Sequence, residues 1–130
     1  MSKRLATYAA ASILAALLGA NAHAATVGNA QVGKRLFSED CVMCHRANGS
    51  GGVHFGHGVV SADLRAPGLE QTYHHGDRLI VRAILHGRDE SNKPLHAPMP
   101  HWASTLTTEQ AYDIVAYLQT LSAGSVRKPG

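Results

Sequence analysis

The sequence predicts an all-α domain with long loops, and three observations carry that reading. Three stretches place apolar residues at helical spacing. No stretch shows the two-residue alternation of a half-buried strand, and no internal repeat interrupts the pattern. Segments rich in glycine and proline separate the three.

Ahead of the domain stands a leader. Lys3 and Arg4 give a positive start, an apolar run follows from Tyr8 to Ala20, and small residues at Ala22 and Ala24 make a cleavage site. The run is shorter than the roughly 20 residues a bilayer-spanning helix needs. Residues 1–24 therefore read as a cleaved secretory signal peptide, and residues 25–130 as one small domain exported to the periplasm. Without the leader, ten Lys and Arg stand against nine Asp and Glu. A chain so close to neutral, with no basic patch interleaved with aromatics, is not expected to bind nucleic acid. No later stretch is apolar enough to span a membrane.

The first helix is predicted from about Asn29 to Cys41, with Val32, Leu36, Phe37 and Cys41 on one side. Gly33 and Phe37 are four apart and share a face, and a mid-helix glycine implies close approach by another backbone. The second is predicted from Asp77, which suits the positive helix start, to His86, with Gly87 as its stop. The third is predicted from Thr108 to Leu121. Thr107 and Gln110 form a capping box before the stripe Ala111, Ile114, Val115 and Leu118. Phenylalanine is scarce and glycine frequent in this chain, so something other than side chains is expected to fill part of the interior.

"CVMCH", residues 41–45, holds the only two cysteines. Four readings begin this way. An exported chain permits a disulfide. A redox dithiol needs a strand before the motif and a helix after it, the reverse of the order here. A zinc site needs a distant fourth ligand and gives no reason for His45 to follow Cys44 directly. Covalent haem accounts for every position: two thiols three apart add to the two vinyl groups, and the next residue, His45, becomes the proximal iron ligand. Export agrees, because bacteria attach this haem on the outer side of the membrane.

With these pieces in order, the mature sequence resembles the small class I, monohaem, His/Met cytochromes c of bacteria over nearly its whole length. The resemblance rests on Gly33 and Phe37, Cys41-x-x-Cys44-His45, "APGL" at 66–69, Gly87 after the second helix, Met99-Pro100, and "AYL" at 116–118. It implies a cytochrome c fold wrapped around one haem c, with the last helix crossing the first at Gly33. It also implies that the Pro67 carbonyl accepts the ring N–H of His45, and that Met99 is the distal iron ligand. The mature chain's other methionine, Met43, lies between the two haem-bearing cysteines and cannot reach the opposite face.

Seven further histidines compete as ligands: His54, His57, His74, His75, His86, His96 and His101. Exposed loop positions are the expectation for them, although His96 and His101 flank Met99 closely and His54 with His57 could hold a stray metal ion. Tyr117 and Trp102 are expected beside the haem and over the Met99 loop, as packing with a polar tip. No paired carboxylates suggest acid–base catalysis, so the expected role is an electron carrier rather than an enzyme. Its partners would be redox proteins, docked through a small, partly apolar patch with weak long-range steering. The rival readings are a permanent subunit of a dehydrogenase or reductase, a haem sensor with a labile Met99, and a non-haem metal module.

Overall fold

The computed structural model describes residues 27–123, so the leader expected at 1–24 lies outside the described residues. Five α-helices follow in order: α1 Ala30–Asp40, α2 Val42–His45, α3 Gly68–Thr72, α4 Asp77–His86 and α5 Thr108–Leu118, with a 3-10 turn at Trp102–Ser104. Elsewhere among the described residues there are only isolated bridges, His54 with Val60, Ala66 with Ser122 and Arg88 with Pro94.

Local chemistry explains where the helices start and stop. The side chain of Asn29 caps α1 by accepting from the N–H groups of Gln31 and Val32. The capping box of α5 is complete: Gln110 N–H donates to Thr107 Oγ1 at 3.1 Å, and Thr107 N–H donates to Gln110 Oε1 at 2.9 Å. α4 ends at Gly87, which takes a left-handed conformation and donates its N–H to Ala83 O.

α5 is one turn shorter than the sequence predicts. It ends at Leu118 rather than Leu121 because the last turn tightens: Thr120 N–H donates to Tyr117 O and Leu121 N–H to Leu118 O, three residues back, after which Leu121 O accepts from Ala66 N–H. α3 was not predicted. It is a single short helix after Pro67, buried only through Leu69, and five residues carry too little periodicity to register.

α1 and α5 cross in direct contact. Gly33 is buried there, and a Cβ at this position would collide with the backbone carbonyl of Asp113 and with Ile114 N. Beside it the rings of Phe37 and Tyr117 meet, centroids 5.4 Å apart at 57°. At the start of α1, Asn29 N–H donates to Asp113 Oδ1 at 2.6 Å. α4 completes the core with Ile80, Val81, Ile84 and Leu85, and is tied to α5 by Gln119 Nε2 donating to Asp77 Oδ1 at 2.9 Å.

Candidate functional site

The three main helices and the loops between them enclose a cavity of about 330 Å³. Phe37 of α1, Ile80 and Ile84 of α4, and Ile114 and Leu118 of α5 supply its apolar wall. Cys41, Cys44 and His45 line the same space, as do Met99 and Trp102 from the loop before α5. The expected fill of the interior by something other than side chains corresponds to this cavity.

The motif is built at the end of a helix. Cys41 closes α1 by donating its N–H to Phe37 O, and His45 N–H returns to Cys41 O at 2.9 Å. One helical turn thus carries both thiols and the histidine. No disulfide joins the two cysteines. Burial, then Asp40 and the neighbouring Cys44, push the Cys41 thiol up to about 12. A dithiol redox centre needs the opposite shift, toward a reactive thiolate. These sulfurs are suited to be anchors.

His45 is buried, and burial pulls its imidazole down from the ordinary histidine range, against an opposing hydrogen bond to Ala62 O. Its Nδ1 lies 2.9 Å from that carbonyl. The neutral ring with Nδ1–H donating to Ala62 leaves the Nε2 lone pair free for a metal. Pro67 was expected to take this proton and does not: its carbonyl accepts from Gln71 N–H at 3.0 Å inside α3. The proton acceptor comes instead from the glycine-rich loop. Leu64 N–H donates to Gly49 O and Gly52 N–H to Ser61 O, folding that loop back on itself. Gly51 permits the contact, since a Cβ there would strike the Ala62 carbonyl.

Tyr117 sits against Phe37 at the helix crossing and is not part of the cavity wall, contrary to its expected place beside the haem. Trp102 does line the cavity, and its Nε1–H is buried without a partner. Arg82 Nε is a second buried, unpartnered donor, while its Nη2 is held by the carbonyls of Asp89 and Glu90, two residues that also reach the cavity. Buried N–H groups are rarely left without an acceptor. A carboxylate carried by the cavity's occupant would supply one to Trp102, so this donor fits a haem propionate, whereas Arg82 is not part of the cavity wall.

Among the described residues the seven histidines other than His45 are all exposed, and of these only His96 also lines the cavity. No three His, Cys, Asp or Glu side chains among the described residues gather closely enough to hold a metal ion.

Tyr73 is a cavity residue that the sequence did not single out. It is buried, and burial, then Glu90 and Asp89, push its phenol above the ordinary tyrosine range. A group raised in the folded state stabilises it below the unfolded pKa, near 10, and loses that contribution as pH rises through the folded value. Urea midpoints of wild type and Tyr73→Phe should therefore keep a constant gap up to about pH 9 and shift in favour of Tyr73→Phe above about pH 10. A gap that stays constant across the whole range would refute this.

An all-α shell around an apolar cavity, with C-x-x-C-H on its wall, a neutral buried histidine and a thioether, defines a c-type haem protein. The family model for cytochrome c matches residues 30–122, and the chain belongs to that family. It is 31% identical over 120 residues to cytochrome c6 of Thermosynechococcus vestitus, covering 91% of both chains. It is 30% identical to cytochrome c6 of Thermostichus vulcanus with the same coverage. A shorter match, 31% over 88 residues, joins it to cytochrome c6 of Synechococcus elongatus, with 66% of this chain and 83% of that one covered. The protein carries one covalently bound haem c, as the family does.

Proposed function

We propose that this protein is an exported, periplasmic electron carrier that passes single electrons between redox proteins and is not itself an enzyme. Residues 1–24 act as its leader and 25–130 as the working domain. The haem supplies a one-electron Fe(III)/Fe(II) couple. Every other requirement falls on the chain. Cys41 and Cys44 hold the group by thioethers, and His45, oriented by Ala62, presents Nε2 as the proximal ligand. Met99, half-buried on the cavity wall, is the distal ligand. Trp102, with a buried N–H that has no partner, would hold a propionate of the bound group. Apolar walls exclude water, which keeps the ligand set unchanged between the two oxidation states. Phe55 and Val60, which line the cavity and remain 37% and 44% exposed, supply an apolar rim for partners.

The observation that carries this reading is that His45 and Met99 line one cavity. A redox titration followed by absorption spectra tests it. One reversible one-electron step is expected, with the weak far-red charge-transfer band of methionine-ligated ferric haem at neutral pH, and with poor carbon monoxide binding by the reduced protein. Met99→Ala should abolish the band. A wild type that lacks the band, or that binds carbon monoxide readily when reduced, would overturn the assignment.

A further inference from the structure

We propose that His96 is a reserve iron ligand: when the Met99 thioether leaves the iron, the His96 imidazole takes its coordination position. The inference rests on Met99 being the resident distal ligand. His96 and Met99 are the first and last residues of one tight turn, closed by Met99 N–H donating to His96 O at 3.3 Å. The two ends of such a turn lie within about 7 Å of one another. Both side chains line the haem cavity. The other nearby histidine, His101, is placed differently: its ring lies against Gly87, where a Cβ would strike the imidazole, and it takes no part in the cavity wall.

The loop around this turn is tethered on both sides. Leu95 N–H donates to Gly87 O at 2.8 Å, and the Asp89 carboxylate accepts from Lys93 N–H at 2.7 Å. After Met99 the chain enters the turn Trp102–Ser104, closed by Thr105 N–H donating to Trp102 O at 2.9 Å. Between those tethers lie residues 96–101. Losing the iron–sulfur bond therefore leaves His96 beside the vacated position at high effective concentration. The exchange breaks one iron–sulfur bond and forms one iron–nitrogen bond, with no electron moved. Two nitrogen ligands give a lower potential than nitrogen with thioether, so the exchange switches the carrier to a more reducing form.

The test uses haem-loaded full-length protein and reads ferric spin state and azide affinity in Met99→Ala, Met99→Ala/His96→Ala and Met99→Ala/His101→Ala. Met99→Ala is expected to be low-spin, without the charge-transfer band. Adding His96→Ala should convert it to high-spin haem that binds azide about tenfold more tightly or better, because the position is no longer occupied. Adding His101→Ala should change neither reading. His96 is exposed, so its removal is not expected to impair folding, and circular dichroism of each variant checks that. A high-spin Met99→Ala, or a Met99→Ala/His96→Ala that stays low-spin, overturns the proposal. The wild-type band reports separately on Met99 ligation, so failure of that reading is seen before any variant is made.

Discussion

Cys41→Ala/Cys44→Ala is expected to be unfolded at room temperature in the absence of haem. The cavity these cysteines border measures about 330 Å³. Residual cavities in protein cores cost about 24 cal/mol per Å³, so a closed void of this volume would cost on the order of 8 kcal/mol, an upper bound for a cavity with an exposed rim. Domains of this size are stable by about 5–15 kcal/mol in total. At that bound the cavity alone is comparable to everything that holds the fold together. Water entering the space relieves part of the strain but strips Phe37, Ile80, Ile84, Ile114 and Leu118 of their apolar neighbours on that side. Far-ultraviolet circular dichroism should show most of the helical signal lost in the double variant. Helix regained on adding free haem would show that filling the space, more than the thioether bonds, carries the energy. A double variant with native helix content and no haem would disprove the account.

The features legible in the sequence are those with a local cause. α4 runs from Asp77 to His86 as expected, because an acidic start and a glycine stop both act within one turn. Thr107 and Gln110 announce α5 for the same reason. The attachment motif is likewise a contiguous signature. What escaped the sequence was made of backbone. The acceptor for His45 is the Ala62 carbonyl, and a carbonyl has no residue identity to recognise; the one clue was Gly51, placed where another chain segment must come close. Asp113 looked like one more scattered acid, yet it is buried and receives the Asn29 N–H from the far end of the chain. Its signal was its place among Ala111, Ile114 and Val115, where a solvated acid does not belong. Trp102 was hard to interpret for another reason: its buried N–H meets no acceptor among the described residues.

Gly33→Val is expected to lower stability by about 2–4 kcal/mol, and the reason shows how a contact remote from the iron shapes the site. A side chain at 33 gains something locally, since leaving glycine in a helix costs about 1 kcal/mol relative to alanine. Against that gain, the new Cβ meets the carbonyl of Asp113 and the amide nitrogen of Ile114. These are backbone atoms inside α5, so no rotamer change relieves them, and overpacking of this kind costs about 1–3 kcal/mol. The helices must separate, which also strains the Phe37–Tyr117 contact at 5.4 Å and the Asn29–Asp113 hydrogen bond at 2.6 Å. Loss of that hydrogen bond leaves a buried carboxylate short of a donor, at a further cost of about 1–3 kcal/mol. Clash and lost hydrogen bond together outweigh the propensity gain. For a domain of this size the melting temperature should fall by about 10–30 °C, with the denaturant slope unchanged. Gly68→Ala is the control: nothing lies within 4 Å of a Cβ there, and its effect should stay within about 1 kcal/mol. The consequence reaches the haem because α1 ends at Cys41 while α5 supplies Ile114 and Leu118 to the same cavity. Separating the two helices opens the wall between the attachment point and the apolar lining. Gly33→Val should therefore retain its covalent haem yet bind carbon monoxide more readily when reduced than wild type does. Equal stability losses for Gly33→Val and Gly68→Ala would show that the crossing does not hold this wall closed.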